Sequence, residues 1–360
     1  MAVAAADPVE AMVGRLFMES LGAMHQSTVY IGVKFGLFAA LAEPGQLTAA
    51  ELATRCGLDE WYVREWLQAE TTAGLVRADS DDLRTARFCL AEGVHETLVD
   101  ETNPAFIGGL AYAAGAVANA MPALLEAYRT GAGVPMSAYG PEVVSAQAMI
   151  NRPVFVNSLV AEFLPGIPDV LARLQDTDKP ALIADVGCGV GWASIELAKA
   201  FPHIRIDAYD SDEPSIIRAR ANAAEAGVAD RVTFHLVDAK SGLGDKRYDV
   251  IFFFECVHDM AHPDRALSSA RQALADGGTV IVMDERVEDT PPEPGDPTQT
   301  FFATVSVLWC LPQGRVEADS EAPGTVMKPS TLRGIARRAG WSDIEILDVE
   351  HPFFRFYRMR

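Results

Sequence analysis

Two short stretches of this 360-residue chain carry residues that could do chemistry. The first is Asp185-Val186-Gly187-Cys188-Gly189-Val190-Gly191. An apolar run, Ala181 to Ala184, precedes it, and Trp192 to Lys199 has the pattern of an amphipathic helix. The order is buried strand, glycine loop, helix. Glycines let a backbone turn tightly and approach a ligand, because no Cβ intervenes. The helix start behind them offers free N–H groups to polar ligand atoms. A dinucleotide fingerprint needs a third glycine at the position that Trp192 fills, so the Gly-x-Gly-x-Gly spacing disfavours that cofactor. The second stretch is Cys256-Val257-His258-Asp259-Met260. It follows the apolar run Tyr248 to Phe254, at the rim where open α/β sheets bind ligands. A histidine there suits a general base near neutral pH.

The elements that must hold these stretches are legible from 181 onward. Strands are expected at 181–186, 204–209, 231–237, 248–254 and 278–284, with helices at 191–200, 213–226 and 262–275. That alternation makes a parallel sheet covered on both faces. An apolar helix follows around Phe301 to Leu311, then a polar loop from Gln313, a helix from Ser330 to Ala339, and a closing hairpin, Ile344–Val349 and Phe353–Met359. The hairpin puts an antiparallel strand at the end of the sheet.

Upstream, residues 10–42 read as one long helix with apolar positions at helical spacing. Thr48-Ala49-Ala50-Glu51 has the form of a capping box and opens a short helix to Cys56. Asp59 starts another helix, through Ala73, and Arg77 to Leu90 reads as a two-stranded wing. Helix, turn, helix and wing form a winged-helix pattern, which raises DNA binding as a function. Between 41 and 100 there are twelve Asp or Glu against five Arg and no Lys. The second helix carries Glu60, Glu65 and Glu70 beside Arg64, which would repel phosphates. Residues 95–175 read as several helices broken by prolines. Asn119, Met149, Phe155, Phe302 and Trp309 are candidate substrate contacts and equally ordinary packing residues. Ala105 to Leu125 carries no charge, but Leu, Ile and Phe are scarce there and Asn119 and Pro122 interrupt it, so a buried helix is expected over a membrane span.

The bulk numbers narrow the function. A formal net charge of −20 argues against a polyanionic partner such as nucleic acid. Five widely spaced cysteines without a C-x-x-C point to a reduced, cytoplasmic setting and no zinc site. The first 20 residues lack the pattern of a signal peptide.

At this point the sequence resembles a family. Asp185 to Gly191 matches the first motif of class I S-adenosylmethionine-dependent methyltransferases, and the likeness continues to residue 360. The resemblance implies that Asp185, Gly187, Cys188, Gly189 and Gly191 form the cofactor loop. It implies that Asp210, with Ser211, serves the ribose hydroxyls and that Asp238-Ala239 lies near the adenine. It also puts Glu255 and Cys256 at the cofactor-facing end of the fourth strand. The run around His258 is similar to the His-Asp-Trp segment of plant-type O-methyltransferases, with Met260 in place of Trp. That likeness makes His258 the candidate base and Asp284 the acid that orients it, with Glu285 the neighbouring alternative; Asp259 could instead cap the following helix. No metal is expected.

The fold implied is a Rossmann-like seven-stranded sheet, mostly parallel, behind an N-terminal helical winged-helix domain. The divisions expected are 1–95 for a winged-helix dimerisation domain, 96–165 for a helical bridge and substrate cap, and 166–360 for the cofactor domain. The activity expected is methyl transfer from S-adenosylmethionine to a small molecule, at a hydroxyl oxygen, by a homodimer. Methyl transfer to carbon or nitrogen without a base, and a cofactor-responsive DNA-binding regulator, are the alternatives.

Overall fold

The structure is a computed structural model that describes residues 7–360; residues 1–6, part of the division at 1–95, lie outside the described residues. Its described residues separate into two compact units, one of residues 7–116 with 145–150, the other of 117–144 with 151–360. The segment 96–165 is divided between the two units.

In the first unit, α1 (Pro8–Lys34) and α2 (Leu37–Ala42) replace the single helix expected over 10–42. The break is at Gly36, whose φ of +67° a helix cannot contain. Helix α3 (Ala49–Cys56) opens on the expected capping box, in which Glu51 N donates to Thr48 Oγ1 while the Glu51 carboxylate accepts from Thr48 N. Asp59 caps α4 (Glu60–Thr72). Strands β1 (Val76–Ala78) and β2 (Phe88–Leu90) pair antiparallel as the wing, and α5 (Val94–Leu98) follows. Their apolar faces close one core around Leu37, Phe38, Leu52, Leu67 and Phe88. Arg64 on α4 is spent on Glu60. Trp61 and Tyr62 on the same helix are exposed.

Helix α6 (Gly108–Thr130) starts three residues later than the uncharged run expected from 105. It is the one helix among the described residues whose own length and apolarity could cross a membrane. The expectation of a buried helix holds for one stripe only, Ala111, Ala116, Ala120 and Leu124, while Leu125 and Tyr128 are exposed. Next come α7 (Glu142–Val154), a π-helical turn over Phe155–Phe163, and α8 (Pro168–Gln175).

The second unit is built on β3 (Leu182–Val186), α9 (Trp192–Ala200), β4 (Arg205–Asp210), α10 (Glu213–Glu225), β5 (Val232–Leu236), β6 (Tyr248–Phe254), α11 (Pro263–Gln272) and β7 (Leu274–Glu285). It continues with α12 (Pro297–Val305), α13 (Leu311–Gly314), α14 (Pro329–Arg338), β8 (Ile344–Ile346) and β9 (Phe354–Met359). The sheet order is β5-β4-β3-β6-β7-β9-β8, parallel except where β9 runs antiparallel between β7 and β8. Order reverses at β3, so the crevice above β3, β4 and β6 is the switch point where ligands bind in such sheets.

Side chains of β6 alternate between the two faces. Val250, Phe252 and Phe254 join α8, α9 and α10, while Ile251 and Phe253 join α11 and α14. This period-2 partition explains why the strands read as continuous apolar runs. It leaves the C-terminal strand ends as the place where polar residues emerge. For the wing unit, Thr48→Ala should lower stability by about 1 kcal/mol, seen as an earlier urea midpoint.

Candidate functional site

The glycine loop leaves β3 and is pinned to the neighbouring strand at once. Gly187 N and Cys188 N both donate to Tyr209 O, at 2.8 and 3.0 Å, and Gly191 N donates back to Cys188 O at 2.9 Å. All three glycines have positive φ. Each has a different reason to be glycine. A Cβ on Gly187 would sit 2.6 Å from Cys256 Cβ, and one on Gly191 would sit 2.9 Å from the Phe234 ring. Gly189 meets nothing within 4 Å, so the loop's apex is open.

Asp210 stands at the end of β4, beneath that apex. Its Oδ2 accepts from Gly189 N at 2.8 Å and its Oδ1 from Asp212 N at 2.9 Å. Burial holds its carboxyl above the usual range. Ser211 beside it is exposed. Asp185 is fully buried under the loop, where Ser194 Oγ donates to it at 2.6 Å, and burial pushes its carboxyl up to about 6. It is thus a strut between β3 and α9, while no side chain caps the start of α9. Asp238 is exposed; it caps its own turn through Lys240 N and pairs with Lys240 Nζ at 3.1 Å. Ala239 is buried in the same turn. Arg152 lies over the Trp192 ring, 4.5 Å from its centroid. The indole at the position a dinucleotide site gives to glycine is therefore a platform for a guanidinium at the loop's edge.

The other half of the site is the turn after β6. Glu255 has φ +50°, the one non-glycine left-handed residue among those described. Such a conformation costs free energy and turns the chain sharply out of the strand. Cys256 packs on Gly187, its thiol 3.0 Å from Val186 O. The 3₁₀ turn Val257–Asp259 then carries His258 inward, where it is 2 % exposed.

His258 Nδ1 donates to Asp284 Oδ1 at 2.9 Å, with Glu285 Oε2 at 3.0 Å from the same nitrogen. His258 Nε2 lies 3.3 Å from Asp259 Oδ1. Asp259 therefore does not cap α11, whose N-cap, His262, supplies no side-chain bond. Asp284 and Glu285 both reach the imidazole, so the two are not exclusive alternatives. Burial alone would lower the His258 pKa; Asp259, Glu285 and Asp284 together outweigh it and hold it well above 6.5. The Glu285 carboxyl is raised to about 7, by burial first and then by Asp284. Glu255 is raised well above its ordinary range, by burial first and then by Glu285. The cluster holds four carboxyls around one imidazole, and a proton shared among them lowers the repulsion. The ligand atoms of His258, Asp284 and Glu285 lie within 4.8 Å of one another, close enough for one cation to replace that proton.

No local motif marks Cys310 as part of this cluster. Its buried thiol lies beside Asp259, and burial raises it to about 12. Tyr139 and Trp309 stack at 6.2 Å, with Tyr139 Oη donating to Leu308 O at 2.8 Å. The candidate substrate contacts are all engaged in packing or hydrogen bonding. Asn119 donates to Tyr139 O and Glu142, and Phe155 meets Phe254 edge-on at 5.5 Å. Phe302 packs on Phe353 at 6.4 Å, and Met149 is buried in the first unit. Phe155 and Trp309 adjoin, through Phe254 and Cys310, the turn that carries His258.

Comparisons with known proteins fit this geometry. Residues 184–280 match the family described as a methyltransferase domain, and residues 22–93 match an Rv2258c-like winged HTH domain. The chain is 32 % identical over 125 residues to trans-aconitate 2-methyltransferase of Streptomyces avermitilis, covering 34 % of this chain and 46 % of that protein. It is 31 % identical over 138 residues to 27-O-demethylrifamycin SV methyltransferase of Amycolatopsis mediterranei, covering 38 % and 50 %. The chain thus spans half or less of the length of these curated relatives. Among solved structures, the mitomycin 7-O-methyltransferase MmcR aligns with a TM-score of 0.67 and 21 % identity over 98 % of this chain and 99 % of that one. Human N-acetylserotonin methyltransferase in complex with S-adenosylmethionine aligns with a TM-score of 0.68 and 16 % identity, over 99 % of both chains. The fold is shared from end to end with these proteins, the second of which binds S-adenosylmethionine.

The residues present fit that cofactor: an open glycine apex, an acid beneath it and an uncapped helix start behind it. Gly187→Ala should weaken S-adenosylhomocysteine binding at least tenfold in calorimetry, because both φ and Cys256 reject a Cβ. Gly189→Ala, strained only by φ, should cost less.

Proposed function

From a chain that joins a winged HTH domain to a methyltransferase domain, we propose an enzyme that methylates a hydroxyl oxygen of a small molecule, with His258 as general base. The observation that carries this reading is the buried imidazole, tied by Nδ1 to Asp284 at the strand-end rim.

S-adenosylmethionine supplies an electrophilic methyl group when bound. Asp210 would hold its ribose and the uncapped start of α9 would face its polar atoms, with Asp238 at the neighbouring strand end. The chain must then place an acceptor oxygen in line with that methyl and take the oxygen's proton. Positioning contributes several kcal/mol and a base on the order of 10²–10⁴ in rate. Asp284 fixes the ring and keeps the proton on Nδ1, which leaves Nε2 to accept one. Asp259, beside Nε2, would stabilise the imidazolium that results.

Because its neighbours raise the His258 pKa, the free base becomes populated only as pH climbs beyond 6.5. Activity on a hydroxyl acceptor should therefore rise on the alkaline side. Asp284→Asn removes one raising charge, so the rising limb should move to lower pH while the rate falls. His258→Ala should lower kcat about 10²-fold or more. A loss below about tenfold would remove the base and favour methyl transfer to nitrogen or carbon.

We also propose that the enzyme is a homodimer through its first domain, in a cytoplasmic setting. On α1, Met12, Val13, Leu16, Phe17, Met18 and Leu21 are each 48–65 % exposed. An apolar face of that extent is costly in water and is removed by association. Light scattering should give about twice the 38.8 kDa chain mass, and Leu16→Glu with Phe17→Glu should return it to one chain.

A further inference from the structure

The methyl-transfer reading leaves one network of charged side chains unused. The loop 315–328, between α13 and α14, crosses the C-terminal rim of the sheet and touches both strand-end turns. Against the His258 turn it uses main chain: Glu321 N donates to Ala261 O at 2.8 Å, and Gly324 N to His258 O at 3.1 Å. Against the turn after β5 it uses charge. Lys240 Nζ pairs with Glu317 Oε1 and, at 3.1 Å, with Asp238 Oδ2. The second oxygen of Glu317 takes His262 Nε2 at 3.0 Å, and Asp319 Oδ1 lies 3.4 Å from the same nitrogen. One carboxylate therefore bridges the rim of β5 and the rim of β6. His262 is buried, which anchors that end, whereas Lys240 and Glu317 keep partial contact with solvent.

We propose that Glu317 is a positioning residue whose bridge from Lys240 to His262 latches this loop across the rim and slows cofactor release. The proposal rests on the reading that S-adenosylmethionine lies on this rim. Exposed ion pairs contribute little singly, and a bridged set of them more. The latch is partly exposed and held by charge, so salt should loosen it. A loop closed over a ligand acts on departure more than on arrival. Opening the latch also leaves Lys240 to Asp238 alone, which changes the charge at the strand end nearest the loop.

The test measures S-adenosylhomocysteine binding to the full chain by calorimetry and stopped-flow displacement, for the natural protein, Glu317→Ala, Glu317→Gln and Lys240→Met. The natural protein should lose affinity as NaCl rises from about 50 to about 500 mM. Glu317→Ala and Lys240→Met should bind about 3–10-fold more weakly at low salt, through a faster off-rate at an unchanged on-rate. Both should lose most of the salt dependence, and Glu317→Gln should fall between them and the natural protein. Lys240→Met breaks the same bridge from the other side, which covers the case of a poorly folded Glu317 variant. Unchanged off-rates and salt slopes in both variants would overturn the latch while leaving the cofactor reading intact. A natural protein that does not bind S-adenosylhomocysteine would take down both.

Discussion

The close approach of Cys256 to Gly187 is the contact on which the rest of the site depends. The glycine loop comes from β3 and the histidine turn from β6, adjacent strands of one sheet. Their rims meet because residue 187 has no side chain and residue 255 accepts a left-handed backbone. With a Cβ at 187, the turn that carries His258 would be pushed off the glycine loop. One cost, the positive φ at Glu255, is borne at the point where the glycine loop and the histidine turn must be neighbours. Strain stored at a functional junction and supported by a rigid sheet is the expected arrangement.

Around that junction the charges are graded. Asp185 and Asp210 sit under and beside the loop, each with N–H or O–H donors. The four carboxyls near His258 have one imidazole between them. Asp284 Oδ2 is buried and has no hydrogen-bond partner among the described residues. The charges of Asp259, Glu285 and Asp284 together raise the proton affinity of the imidazole they face, which explains why burial fails to depress the His258 pKa. The cost to folding is offset by a sheet with two apolar faces, and by Phe252 and Phe253 packed on opposite sides of β6.

Much of this was legible in the chain, for local reasons. Strand β6 has its expected bounds because Tyr248 to Phe254 is buried on both faces and reads as a solid apolar run. The Thr48 capping box and the Asp59 cap were readable because both partners lie within three residues. The glycine spacing and Trp192 separated one adenosine cofactor from another. What the sequence hid depends on distance along the chain. Glu317 is 77 residues from Lys240, and Cys310 reaches the His258 turn only through the fold. The break at Gly36 was hidden inside an unbroken helical periodicity. Asp259 was readable as an acid, but a cap and a histidine partner look alike until the turn is seen.

The most direct test of the account is a crystal structure with S-adenosylhomocysteine bound. The account predicts the Asp210 carboxylate within about 3 Å of both ribose hydroxyls, and the sulfur facing the His258 turn across the Gly187–Cys256 contact. A ribose held elsewhere, or a sulfur turned away from His258, would contradict it.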